Sequence, residues 1–416
     1  MTISAALSKW HDLNVSPDEL RLFPTLICGQ AFRWRQTGKD EWSCSLWDQV
    51  VQLKQTSTTV LFRGHGQIEG AKHASGIDGT TNATDAETLR ERLVDYFQLK
   101  TPLAVLYQQW SKCDDHFKNK VAGGKYKGLR LMRQDPVENL FTFICTSNNH
   151  ISRITKMVHN ICVEFGKSIP TGPEVEGKVG KFHTFPTIES LGAEGVEDKL
   201  RSLGFGYRAK YISQSAKKLM ADHGPRPEEW LMSLRDKDYT EVKRSLMTLS
   251  GVGPKVADCI CVMSLDKTQA VAIDTHIWQI AKRDYAKVAA KKALTSSKEN
   301  RELLESAIKI INSAKAVTPK AYEAVQLLFT TVFGPFCGWA LGVLFAADLK
   351  SLNEKLVQSI DDNNSSSNEL TKNGAKGDIK KRARSASKDT ADAIDVKQED
   401  DSIVRRRSKR IKSAKK

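Results

Sequence analysis

Lys255 is the residue in this chain best placed to act as a nucleophile. It follows Gly251-Val252-Gly253-Pro254, where the apolar end of one helix at Leu246–Leu249 gives way to a second helix that Pro254 restarts at its first turn. A first-turn position sets the side chain at the positive end of the helix macrodipole. That field disfavours an ammonium and, with partial burial, favours the free amine. The plainer alternative is a cation that contacts an anion. Nineteen residues on, Val271-Ala272-Ile273-Asp274-Thr275-His276 places a carboxylate between an apolar run and a helical one. Asp274 suits an N-cap, and beside the amine it would also stabilise positive charge developing at a reacting carbon. One residue can do both.

The element that must position Lys255 is the turn before it. Gly251 and Gly253 let another surface approach the backbone, and the following helix N-terminus points unpaired N–H groups outward, where a phosphate can accept them. This is the design of a helix-hairpin-helix that holds a nucleic-acid backbone without reading bases. Charge agrees: 64 Lys and Arg against 49 Asp and Glu give +15. From Lys350 onward 18 basic and 11 acidic residues leave +7 there and +8 on the rest, so both parts are basic. A polyanion partner follows. No run approaches the roughly 18 apolar residues of a membrane span, the longest being Ala340–Ala347, and no basic anchor helix is evident, so no membrane partner is expected. Eight cysteines without a CxxC pair argue against a disulfide framework, structural zinc and an iron–sulfur cluster. No metal and no cofactor are expected. The first fifteen residues lack a secretory pattern and hold a single Lys, a weak case for a mitochondrial presequence.

The first hundred residues carry short strand-like runs, Phe32–Trp34, Trp42–Trp47, Val50–Leu53 and Thr59–Arg63, which predict an antiparallel sheet. Gly64–Asp85 reads as a mobile surface insertion. After about Leu89 the period turns helical. Asp135-Pro136-Val137-Glu138 reads as N-cap, first-turn proline and capping box, with helical stripes recurring to Ala347. The fold class is α+β: an α+β domain with a twisted antiparallel sheet over 1–130, a mainly α-helical domain over 131–350 with its hairpin at 246–263, and a disordered basic tail over 351–416. In the tail, Lys380–Arg384 and Arg405–Arg410 read as nuclear-import or nucleic-acid-binding clusters, so import machinery is an expected partner and the nucleus the expected location, with a minor mitochondrial fraction left open.

Five separated segments agree in order with one family. They are Gly29-Gln30-Ala31-Phe32-Arg33-Trp34, Arg133–Pro136 leading to Phe143–Asn149, Leu203–Ala209, the 251–259 hairpin with Ile273–His276, and Gly334–Ala340. Together they closely resemble the eukaryotic 8-oxoguanine DNA glycosylase/lyase family of the helix-hairpin-helix superfamily, over residues 10 to 350. The resemblance implies base-excision repair on double-stranded damaged DNA by a monomer without cofactor. Lys255 would attack C1′, expel 8-oxoguanine or formamidopyrimidine guanine opposite cytosine, and nick the strand through a Schiff base and β-elimination, with Asp274 assisting. Gly29, Cys259, Ala272, Asp274, Leu341 and Phe345 would bind the flipped base. Tyr207 would wedge into the stack, Asn148, Arg153 and Arg208 would read the orphaned cytosine, and Gly251, Gly253 and His276 would contact the DNA backbone.

The chain departs from the family at several points. Leu341 stands where the family usually has Gln, Ala272 where Pro is common and His150 where a third Asn is common, and Lys287–Thr318 is a longer insertion than expected. A relative in the superfamily with another damage preference, and a non-catalytic DNA-binding module, are the rival readings.

Overall fold

Cross-strand pairing of large apolar residues builds the N-terminal sheet. In the computed structural model, which describes residues 9–67, 86–171, 179–288, 297–350 and 352–356, five antiparallel strands run β1 (His11–Asp12), β2 (Arg35–Gly38), β3 (Glu41–Leu46), β4 (Gln49–Gln55) and β5 (Val60–Gln67), in the order β1-β5-β4-β3-β2. Trp42 pairs with Leu53 and Leu53 with Phe62, so three buried side chains stack across one face. Between β3 and β4 the chain reverses through Trp47 and Asp48 alone, at φ of 52° and 60°. Positive φ at both positions is what a two-residue hairpin with the twist-compatible turn demands. The helix Ala86–Tyr96 covers that face with Leu89, Leu93 and Tyr96, closing a core of its own.

Two details differ from expectation. Phe32–Trp34 is not a strand: Phe32 packs into the helical core and Trp34 into the sheet core, so the segment divides its side chains between two cores and pairs with neither. Gly64–Gln67 continues β5, with Gly64 opposite Val51 and His65 opposite Val50. The rest of the expected insertion, and the basic tail beyond 356, lie outside the described residues.

The second core is helical and takes in residues from Cys28 to Leu356, including Leu103, Leu106, Tyr107 and Trp110 of the helix Leu103–Cys113. Asp135 caps the helix Pro136–Ile144 by accepting from the Val137 and Glu138 amides. Glu138 does not close a capping box. Its carboxylate is drawn instead to the buried Arg33 guanidinium at 2.5 Å, because an unpaired arginine inside the protein would be far more costly than an uncapped amide. A two-stranded sheet, β6 (Ser168–Ile169) with β7 (Phe182–His183), was not legible, since two-residue strands carry no period. Pro319–Phe333 and Cys337–Asp348, taken across the break at Gly334–Phe336, contain an 18-residue window of mean hydropathy 1.7, long and apolar enough to match a membrane span. That exceeds the run-by-run expectation, and the physical reason is burial: most of it lies inside the helical core.

Candidate active site

The hairpin consists of the helices Tyr239–Leu246 and Pro254–Ser264. Val252 is buried between them and its N–H donates to the Leu249 carbonyl at 3.2 Å, which tightens the turn. The two glycines have different reasons. Gly251 has φ +80°, and a β-carbon there would lie 2.7 Å from the Tyr211 ring. Gly253 has extended backbone, and a β-carbon there would meet nothing within 4 Å. Gly251 is thus required by the fold, whereas Gly253 leaves an open approach to the helix N-terminus. No side chain caps that helix.

Lys255 and Cys259 are one turn apart on the second hairpin helix and share a face. Lys255 Nζ donates to the Thr146 hydroxyl oxygen at 3.2 Å and lies 5.3 Å from the centre of the Phe143 ring. Asp274 caps the helix Thr275–Ile280, its Oδ1 accepting from the His276 and Ile277 amides at 2.9 Å each. Cap and charge therefore coexist in one side chain. Lys255, Asp274, Gly29, Cys259, Ala272, Leu341 and Phe345 all line one pocket of about 80 Å³. Gly29 has φ +88°, and a β-carbon there would press on Ile151 at 3.1 Å, so the wall is bare backbone at that point. Burial pushes the Cys259 thiol up to about 11, with Lys255 opposing and Asp274 reinforcing the shift. At neutral pH it is a polarizable, uncharged wall.

The residues expected to contact the opposite strand gather elsewhere, around the turn at Ser147-Asn148. Asn148 sits at φ +47°, a left-handed conformation that asparagine tolerates. Tyr207, 46% exposed, donates its hydroxyl to the Ser147 carbonyl at 3.0 Å. Arg208 is buried and donates to the Ser147 and Asn148 carbonyls, while Arg153 donates to the Gly204 carbonyl at 3.2 Å. His276 is half exposed, edge-on to Phe345 with ring centres 5.6 Å apart, and its Nδ1 is 3.8 Å from Asp348.

Residues 12–140 match the family model for the 8-oxoguanine DNA glycosylase N-terminal domain, and residues 141–306 match that of the HhH-GPD superfamily of base excision DNA repair proteins. The chain belongs to the 8-oxoguanine DNA glycosylase family. It is 35% identical to the N-glycosylase/DNA lyase of Saccharomyces cerevisiae, covering 82% of this chain and 86% of the yeast protein. It is also 35% identical to that of Arabidopsis thaliana, covering 84% and 83%. The crystal structure of apo Clostridium acetobutylicum 8-oxoguanine glycosylase/lyase superimposes with TM-score 0.60 at 24% identity, over 80% of this chain and 94% of that one, a likeness of fold. As a member, the chain is an enzyme: a bifunctional DNA N-glycosylase and lyase.

Within this glycosylase, two departures now have a structural reading. His150 caps the helix Ile151–Phe165 through Nδ1, which accepts the Arg153 amide at 3.3 Å, a bond an asparagine side chain could also make. Leu341 is buried on the pocket wall and brings no hydrogen-bonding group to it. Nothing in the structure explains Ala272. Among the described residues of the insertion, the helix Lys298–Ser313 packs its Leu304, Ala307 and Ile311 inward.

Sequence reasoning passed over two sets of residues. One is Thr146, which lies in the Phe143–Asn149 segment but whose hydroxyl has no partner visible in the local sequence. The other is a buried polar cluster behind the pocket. Asp258, fully buried beside Cys259, accepts from Lys243 at 2.8 Å, Tyr239 at 2.7 Å and Tyr322 at 2.5 Å. The Tyr322 oxygen also accepts the Ile273 amide at 3.3 Å, so the cluster holds the backbone that delivers Asp274. Helical spacing shows Asp258 only as a polar residue in an apolar helix, and its partners are contributed by two other helices.

Proposed function

We propose that this glycosylase excises 8-oxoguanine, and formamidopyrimidine guanine with it, opposite cytosine, and then nicks the strand through a Schiff base on Lys255. The observation that carries the reading is that Lys255 and Asp274 line the same pocket as Gly29, Cys259 and Phe345. The names of the relatives support the glycosylase and lyase steps. The Lys255 amine forms a bond to C1′ of a flipped nucleotide as the bond from C1′ to the base breaks, and the base leaves with that electron pair. Sugar-ring opening gives the iminium, loss of a C2′ proton follows, and the 3′ phosphate departs. Asp274 balances the positive charge that develops on the sugar, and its bonds to two helix amides keep its carboxylate still. Phe345 and Cys259 flank the base, while Asn148, Arg153, Tyr207 and Arg208 meet the strand that loses its partner. The basic clusters of the tail direct the enzyme to the nucleus. Borohydride trapping on duplexes bearing 8-oxoguanine opposite cytosine tests the mechanism: a covalent protein–DNA adduct is expected, and its absence with active enzyme would overturn the Schiff base.

The hairpin supplies a second prediction. Gly253→Ala should leave thermal stability unchanged, since the methyl meets no protein atom, yet weaken duplex binding by roughly tenfold because it occupies the phosphate approach. Gly251→Ala should instead destabilise the fold by about 1–3 kcal/mol through its positive φ. Thermal melts and duplex titrations on both variants separate the two roles. Equal affinity for Gly253→Ala and the native chain would remove the hairpin from the DNA interface.

Leu341 offers no amide to the edge of the base, so discrimination among oxidised purines is expected to rest on shape and on Gly29. Leu341→Gln should change the ratio of single-turnover rates for 8-oxoguanine and formamidopyrimidine guanine by about tenfold, the scale of one or two hydrogen bonds in a pocket. An unchanged ratio across lesions would show that position 341 does not select the base.

A further inference from the structure

Thr146 stands between the two halves of the site. Its Oγ1 accepts from Lys255 Nζ at 3.2 Å and lies 2.7 Å from the Phe143 carbonyl one turn back. A threonine hydroxyl has one hydrogen, and the carbonyl takes it, so toward the lysine Thr146 can only accept. A neutral amine has two N–H bonds and one lone pair. With one N–H held by Thr146, rotation about the Cε–Nζ bond is restricted and the lone pair is confined to the two remaining tetrahedral positions, which limits the directions of attack on C1′.

The same turn is tied down by the residue expected to wedge into the stack and by one expected to read the orphaned base. Ser147, next in sequence, has its carbonyl held by the Tyr207 hydroxyl and by Arg208. The Asn148 carbonyl is held at 3.1 Å by the same terminal nitrogen of Arg208. Arg208 is 3% exposed, and its Nε has no hydrogen-bond partner among the described residues. Buried as it is, Arg208 reaches a base by moving outward, and because one terminal nitrogen holds both carbonyls, such a movement changes the restraints on the turn that presents Thr146.

We propose that Thr146 is a positioning residue that orients the Lys255 amine and makes that orientation depend on whether Tyr207 and Arg208 hold the protein turn or engage the DNA, Tyr207 at the stack and Arg208 at the opposite base. The proposal rests on the reading of Lys255 as nucleophile and of Arg208 as a cytosine reader. A base opposite the lesion influences the chemical step to the extent that it binds one arrangement of the turn better than the other. Cytosine and adenine would differ in that respect, so discrimination would appear in the rate of chemistry as well as in binding.

The test uses the full chain and single-turnover borohydride trapping on duplexes with 8-oxoguanine opposite cytosine or adenine. Thr146→Val keeps the shape and removes the acceptor. Trapping opposite cytosine should fall roughly tenfold to a hundredfold, and the preference for cytosine over adenine should shrink toward one. Duplex affinity and the thermal midpoint should stay as in the native chain, and Thr146→Ser should restore both rate and preference. A merely structural threonine would not give that split between chemistry and affinity. If Thr146→Val does not fold, Thr146→Ala carries the same comparison. A rate within twofold of native overturns the positioning role, and equal slowing opposite both bases overturns the dependence on the opposite base. The underlying readings fail separately: trapping that survives Lys255→Gln removes the nucleophile, and a native chain indifferent to the opposite base removes the reader.

Discussion

Replacing Lys255 by Gln should abolish the borohydride-trapped adduct and lower excision and nicking by at least about 10³-fold, the scale on which enzymes lose rate when a covalent nucleophile is removed. The amide nitrogen of glutamine shares its lone pair with the adjacent carbonyl and cannot form an iminium. Glutamine is nearly as long as lysine and can still donate toward Thr146, which now bonds Nζ at 3.2 Å. The fold and the hairpin should therefore survive. Duplex affinity should stay within a few fold of native, because the proposed grip on phosphate comes from the uncapped N-terminus of the second hairpin helix and the bare Gly253. Quenched single-turnover assays for excision, gel trapping for the adduct and fluorescence titration for affinity read the three quantities separately. Excision that persists at the native rate with no adduct would point to water as the nucleophile, with Lys255 reduced to a cation near the DNA. Loss of all three would mean that the substitution had damaged the site as a whole.

The largest effect on stability is expected from Lys243→Met. Lys243 is the only cation bonded to Asp258 among the described residues, at 2.8 Å, and Asp258 is fully buried. Burial already pushes the Asp258 carboxyl above the usual carboxylate range, with Lys243 and two phenol donors opposing it. Removing one partner of a buried ion pair leaves an uncompensated charge and costs about 3–5 kcal/mol. A carboxyl whose folded pKa is raised binds a proton more readily folded than unfolded. Its protonation therefore adds stability below the unfolded pKa, and that contribution is lost as pH rises through the folded value. The deficit of Lys243→Met should accordingly be largest near neutral pH and shrink as pH falls toward the ordinary carboxylate range. Urea midpoints at two pH values give the comparison, and adding Asp258→Asn to Lys243→Met should recover part of the loss. A deficit independent of pH would show that the cost is one of packing. Because Tyr322 links Asp258 to the Ile273 amide, the same substitution should also disturb the segment that delivers Asp274.

Much of the candidate site was legible because its parts are local. A helix restarted by Pro254 after two glycines, and a carboxylate at the mouth of the next helix, are patterns within ten residues, and their geometry follows from backbone rules that hold in any fold. The antiparallel sheet was legible for the same reason, apart from its ends. Phe32–Trp34 misled because an apolar run looks alike whether it pairs as a strand or passes between two cores. Glu138 misled because its spacing from Asp135 fits a capping box, whereas the partner that took it, Arg33, is 105 residues away.

What the sequence by itself determined was the chemistry available: a lysine at a helix N-terminus, a capping aspartate, and a hairpin with a basic body to bring them to DNA. What only the tertiary structure decided was which groups meet. Thr146 lies 109 residues from Lys255, and Asp258, Lys243 and Tyr322 come from three helices, yet they set the direction of the amine and the stability of the backbone behind it. Contacts of that kind leave no periodic trace. They arise where buried polar groups must find partners and the partners lie wherever the packing of the core brings them, because an unpaired donor or charge inside the protein costs more than the loss of any local preference.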